Sequence, residues 1–121
     1  LVGGQDELVF DGGSVVVDAS GATQFRAPAF DEGDFPVVLD CSSTGVAVSP
    51  QSLAPISENT AAVYQALVLG MRDYVNKNRF KGVVLGLSGG IDSALTLAIA
   101  VDAIGADKQL IKVVITQHLL G

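Results

Sequence analysis

The sequence predicts an α/β chain in two parts: a strand-and-turn-rich beginning, then the first strand–helix–strand unit of a parallel sheet. Three observations lead there. Short β-branched runs near the start are punctuated by Asp-Gly and Ser-Gly pairs, which mark hairpins. Between residues 57 and 78 apolar side chains recur at helical spacing. The run VVLGL at residues 83–87 is apolar without alternation, as expected of a strand covered on both faces.

Taken in order, Leu8, Val9 and Phe10 form a strand that ends in the turn Asp11-Gly12-Gly13. Gln5, Asp6 and Glu7 in front of it read as a turn rather than as an acid/base set. Ser14 to Val17 make the next strand, closed by Asp18-Ala19-Ser20-Gly21. The acidic stretch Asp31, Glu32, Asp34 reads as a solvated loop, because its spacing fits no calcium loop. Residues 36–40, PVVLD, make another strand, which completes a first part over residues 1–48. Residues 49–56 contain two prolines and no periodicity, so they read as a linker to a second part, residues 57–121.

Ser57 is the expected N-cap of a helix reaching about residue 78. Positions 63, 66, 67, 70, 71, 74 and 75 give it one apolar face, with Arg72, Asp73, Asn76 and Lys77 off that face. Lys77 and Arg79 suit the negative end of the helix dipole. After strand 83–87, SALTLAIAVDAI at residues 93–104 is apolar nearly all round, which predicts a heavily buried helix closed by Gly105. A second strand over residues 110–116 completes a right-handed βαβ unit.

Charge and composition exclude several function classes. Thirteen acidic residues against seven basic give a net charge of −6, which leaves no basic surface for nucleic acid. No apolar run approaches the ~20 residues that span a bilayer, and the first residues lack the pattern of a signal peptide. The single cysteine, Cys41, has no internal disulfide partner and suits a reducing, cytoplasmic setting. His118 has no companion histidine or nearby cysteine and reads as a surface residue. Because the only methionine is Met71, the chain is expected to be a piece of a longer protein.

The chemistry concentrates in SGGIDS, residues 88–93, where strand hands over to helix. Backbone N–H groups and the helix dipole there favour an anion. Gly89 and Gly90 let the backbone approach a phosphate, and the Ser88 and Ser93 hydroxyls can donate to its oxygens. Asp92 would repel a bare phosphate, so it implies either a bridging Mg²⁺ or a helix cap. A Walker A loop is excluded, since no lysine lies between residues 82 and 107, and GxGxxG is absent too. A purely structural glycine turn is the competing reading.

The string SGGIDS matches the SGGxDS loop of the N-type ATP pyrophosphatases, which include asparagine, GMP and NAD synthetases. Residues 66–108, ALVLGMRDYVNKNRFKGVVLGLSGGIDSALTLAIAVDAIGADK, closely resemble the start of the synthetase domain of glutamine-dependent NAD⁺ synthetases. Residues 3–21, GGQDELVFDGGSVVVDASG, look like the late part of the nitrilase-type glutaminase domain fused to it. The resemblance implies the β-rich end of a nitrilase-like α/β sandwich, then the first βαβ unit of an adenine-nucleotide α-hydrolase-like parallel sheet.

It also implies a reaction, the amidation of deamido-NAD with ATP and either glutamine or ammonia. The nicotinate carboxylate attacks the ATP α-phosphorus, pyrophosphate leaves, and ammonia displaces AMP from the acyl-adenylate. On this mapping Ser88, Gly89, Gly90 and Ser93 hold the β- and γ-phosphates, and Asp92 helps to coordinate Mg²⁺. The glutaminase Glu–Lys–Cys set lies upstream of the segment resembled. Cys41 is therefore not the nucleophile, and no catalytic residue is assigned in this chain, which alone is expected to be inactive. The resemblance also fails at IKVVITQHLLG, where the family has a Met-Pro-Ser-like segment. A homo-oligomer is expected, as are partners or further segments to cover the apolar surface of residues 1–48. The rivals are another amidating ligase with the same loop and a non-catalytic remnant that acts only by association.

Overall fold

A computed structural model describes residues 1–106. The predicted strand at residues 110–116, His118 and the atypical segment 117–121 lie outside the described residues. Six short strands pair as three antiparallel hairpins and are followed by two helices. The mixed α/β class is as the sequence predicts.

Strands β1 (Val2–Gln5) and β2 (Leu8–Asp11) pair with Gln5 opposite Leu8. The two-residue loop is Asp6-Glu7, where the sequence reading placed a turn. Asp6 adopts φ 51°, a left-handed conformation that aspartate tolerates better than most residues. Strands β3 (Val15–Val17) and β4 (Thr23–Arg26) pair with a register shift at Val16/Val17. Strands β5 (Leu39–Ser42) and β6 (Gly45–Val48) form the third hairpin, displaced a few residues from the predicted strand at 36–40. Asp31, Glu32 and Asp34 are exposed in a strand-free loop, as the sequence predicts.

The turn of the second hairpin is organised by one carboxylate. Asp18 accepts bonds from Ser20 Oγ at 2.6 Å, Gln24 Nε2 at 2.6 Å, Ser20 N at 2.8 Å and Ala22 N at 3.0 Å. The Ser20 hydroxyl first, then Gln24 and the Ala22 amide, hold its pKa at about 2. A carboxyl depressed in the folded state stabilises above its unfolded pKa and loses that contribution as pH falls through the folded value. The turn is therefore expected to stay intact at pH 4 and to loosen toward pH 2. Carboxyl-carbon NMR titration of Asp18 checks this; a midpoint near 4 would contradict it.

Residues 49–56, predicted as a linker, lie hydrogen-bonded along β4. Gln51 N donates to Gln24 O at 3.0 Å, Ala54 N to Arg26 O at 3.0 Å, and Arg26 Nη1 to Ala54 O at 3.1 Å. Only an isolated parallel bridge, Arg26 to Leu53, results. Pro50 and Pro55 have no N–H to extend it.

Helix α1 (Asn59–Lys77) runs for 19 residues. Its N-cap is Glu58, not the predicted Ser57, and no side chain caps it. At the other end Arg79 N donates to Asn76 O at 3.0 Å and Phe80 N to Val75 O at 2.9 Å. With Arg79 at φ 58°, this is a Schellman ending. The Phe80 ring sits 5.8 Å from that of Tyr74 as its apolar contact. An arginine in the left-handed region costs more than glycine would. Arg79→Gly is expected to stabilise by roughly 0.5–1 kcal/mol, read as a higher urea midpoint at constant m-value.

The packing of α1 departs from the predicted face. Leu69 and Val75 are buried, whereas Val63, Leu67 and Tyr74 are exposed. Strand β1 meets the helix through glycine: a Cβ on Gly4 would lie 3.1 Å from Gly70 Cα and 3.3 Å from Asp73 Cβ. That close approach draws in Asp73, predicted to face away, leaving its side chain 17% exposed. Asp73 Oδ2 accepts from Gly4 N at 2.8 Å and from Lys77 Nζ at 3.2 Å, and Lys77 also donates to Gly4 O.

One prediction for the second part needs correction; for the other, the strand at residues 83–87, the predicted partner lies outside the described residues. Residues 83–87 join no ladder among the described residues, because a strand exists only against a neighbour that takes its N–H and C=O groups. Helix α2 (Ile91–Ile104) is not heavily buried. Only Ala100 and Ala103 are buried, against α1, while Ile91 and Leu95 are exposed. An all-round apolar helix needs neighbours on every side, and α1 supplies one.

Candidate functional site

The loop between residue 87 and α2 is built from its backbone. Gly89 adopts φ 84°, a left-handed conformation that only glycine takes without strain. Gly90, extended at φ −85° and ψ 161°, is the N-cap of the 14-residue α2. It makes no side-chain cap bond, but its carbonyl accepts from Ala94 N at 3.2 Å and from Ser93 Oγ at 2.9 Å. The first-turn N–H groups are left free to point out of the helix, where the dipole favours an anion.

The structure brings Ser88 and Ser93 together, with their hydroxyls 3.3 Å apart across the loop. Ser88, Gly89, Gly90 and Asp92 are exposed, and Ser93 is half-buried. A Cβ on Gly89 would meet nothing within 4 Å, and one on Gly90 only Ser88 Oγ at 3.6 Å. The mouth of the loop is therefore open to a group as large as a phosphate. Asp92 is in the first turn, so the alternative that it caps the helix does not hold. Among the described residues its carboxylate makes no cap bond to α2.

The other candidates sort differently. Cys41 is an exposed free thiol on β5. Gln5, Asp6 and Glu7 belong to the β1–β2 turn. Among the described residues no group of three His, Cys, Asp or Glu side chains could hold a metal. One carboxylate beside phosphate oxygens is nevertheless a donor set that suits Mg²⁺, which takes one or two carboxylates together with substrate phosphates.

A second feature was not read from the sequence. Tyr64 of α1 donates from its hydroxyl to Asp102 Oδ2 of α2 at 2.6 Å. The Asp102 hydrogen bond, aided by burial and by that carboxylate's charge, raises the tyrosine's pKa. The pair borders a cavity of about 300 Å³ that Phe30 and Arg72 also line. The two residues are 38 positions apart, and no local pattern links them.

Comparison with known proteins agrees with the loop. Residues 63–118 match the family model described as NAD synthase. The glutamine-dependent NAD(+) synthetase of Acinetobacter baylyi is 51% identical over 108 residues, covering 88% of this chain and 19% of that protein. The Xylella fastidiosa enzyme of the same name is 51% identical over 110 residues, covering 89% and 20%. The structure of the Acinetobacter baumannii glutamine-dependent NAD+ synthetase in complex with adenosine diphosphate matches with a TM-score of 0.81 and 51% identity. That match covers 89% of this chain and 20% of that one. The chain thus spans about one fifth of the length of the relatives it matches. Over that span, loop included, the chain is similar to the glutamine-dependent NAD+ synthetases.

Proposed function

We propose that residues 88–93 hold the β- and γ-phosphates of ATP in an enzyme that amidates deamido-NAD to NAD⁺, with glutamine or ammonia as nitrogen source. The observation that carries this is the open SGGIDS loop at the start of α2, with Gly89 at positive φ and the two serine hydroxyls facing each other. It lies inside the stretch that matches NAD synthase. Adenosine diphosphate in the Acinetobacter baumannii relative supports nucleotide use.

In this reading the nicotinate carboxylate attacks the α-phosphorus and pyrophosphate leaves while held by the loop. Ser88 and Ser93 donate to its oxygens, and the first-turn N–H groups with the α2 dipole stabilise the charge that develops there. Asp92 would hold Mg²⁺, which when bound neutralises charge on the leaving pyrophosphate. Ammonia then displaces AMP from the acyl-adenylate. Residues 1–48 would be the end of a nitrilase-like glutaminase domain, 49–56 the junction and 57–121 the start of the synthetase domain. Strands 83–87 and 110–116 would then lie side by side in a parallel sheet. Exposed Val63, Leu67 and Tyr74 support self-association into a homo-oligomer, and the free thiol of Cys41 supports a cytoplasmic setting.

The test is product analysis with the full-length protein supplied with deamido-NAD, ATP, Mg²⁺ and ammonia. NAD⁺, AMP and pyrophosphate are expected in equal amounts. Release of ADP and inorganic phosphate would overturn the assigned cleavage. Absence of NAD⁺ with both ammonia and glutamine would overturn the substrate.

A further inference from the structure

We propose that Tyr64 and Asp102 are positioning residues for the SGGIDS loop, setting the register of α2 along α1 and so the place of the loop at its far end. The inference rests on the reading of that loop as a phosphate cradle. Its observation is where α2 is held. The buried residues of α2 are Ala100 and Ala103, both in its last two turns, and α2 packs against α1. At the end that carries the loop, Ile91 is 80% exposed and Leu95 49%.

Alanine faces are smooth. Where two helices meet through small side chains, few knobs enter holes, and sliding or rotation of one on the other meets little resistance. Direction must then come from a group with a preferred geometry. Among the described residues, the 2.6 Å bond from the Tyr64 hydroxyl to Asp102 Oδ2 is the side-chain hydrogen bond that joins α1 to α2. Asp102 lies one residue from both Val101, whose carbonyl accepts the Gly105 cap bond at 2.9 Å, and the buried Ala103. A helix transmits such an anchor as a rigid rod: the eleven steps from Ile91 to Asp102 span about 16 Å at 1.5 Å per residue. A small rotation at the anchor therefore moves Ser93 and Asp92 relative to whatever binds them. Losses of this kind appear in substrate binding before they appear in stability.

The experiment uses full-length protein carrying Tyr64→Phe, Asp102→Ala or Asp102→Asn, or Tyr64→Phe with Asp102→Ala. Hydrogen–deuterium exchange of a peptide covering residues 88–95 is read beside KM for ATP and kcat with ammonia, and beside Tm. Tyr64→Phe and Asp102→Ala are each expected to raise loop exchange and KM by about 3- to 10-fold, the worth of one hydrogen bond, with kcat nearly unchanged. The double variant should match either single one. Asp102→Asn, whose amide oxygen still accepts the tyrosine hydroxyl, should restore both readouts. Unchanged loop exchange with a lowered Tm would overturn the proposal, as would failure of Asp102→Asn to restore it. Loop exchange that responds as expected in a protein making no NAD⁺ would uphold the positioning role and sink the functional reading instead.

Discussion

Replacing Asp92 with alanine in the full-length protein is expected to lower ammonia-dependent NAD⁺ formation roughly 100-fold, the usual effect of losing one group that stabilises transition-state charge. The side chain is exposed in the first turn of α2, and Gly90 makes no side-chain cap bond. Its removal therefore leaves no buried partner unsatisfied. What the fold loses is one favourable charge at the positive end of a helix, about 0.3–1 kcal/mol. Activity should collapse while Tm hardly moves. The loss should be as deep with ammonia as with glutamine, because the role proposed for the carboxylate is at the phosphates and not in nitrogen supply. Raising Mg²⁺ should recover part of it. Unaltered ammonia-dependent activity would remove Asp92 from any metal role.

Asp73→Ala should do the reverse, unsettling the fold while leaving loop chemistry nearly intact. The carboxylate closes the contact between β1 and α1, accepting from Gly4 N at 2.8 Å and Lys77 Nζ at 3.2 Å. The glycine approach that admits it leaves little room for water beside the Gly4 amide. Truncation strands that donor, and about 2 kcal/mol of stability should go, within the range for a buried group left unpaired. Asp73→Asn should cost less, since its amide oxygen can still accept from Gly4. Urea midpoints on the full-length protein measure both.

The same carboxylate gives the contact a pH dependence. Burial works to raise the Asp73 pKa, but the Gly4 amide, Lys77 and Arg72 together outweigh it, so the group titrates below the ordinary aspartate value. Its contribution is complete above about 3.9, the unfolded aspartate value. It is lost as pH falls through the lower folded value. The alanine variant should therefore show a flatter acid limb than the parent, and an unchanged limb would assign that acid sensitivity elsewhere.

Much of this was legible in the sequence wherever the signal is local. The Asp6-Glu7 turn, the turn at residues 18–21, the extent of α1 and the loop before α2 all follow from residues near each other in the chain. The sequence also marked the candidate loop itself, through a glycine pair, two serines and one aspartate just before a helix. The misses involve distant partners. The face α1 buries is set by Gly4, more than sixty residues away, which helical periodicity cannot register. Residues 49–56 have the composition of a linker, yet their amides find β4 carbonyls. Ser57 has good capping chemistry, but the helix starts after Glu58. Tyr64 and Asp102 are ordinary residues until two helices bring them within 2.6 Å.

The run VVLGL, which joins no ladder among the described residues, has a consequence during synthesis. The hairpins and α1 precede it and can close on one another as soon as they leave the ribosome. Residues 83–87 emerge next with their backbone donors and acceptors unanswered, and Val84 is 75% exposed. Until something covers it, that stretch is open to strand addition from any other nascent chain. Codons that slow translation just downstream would prolong this interval, and aggregation of the newborn protein should rise with the length of the pause.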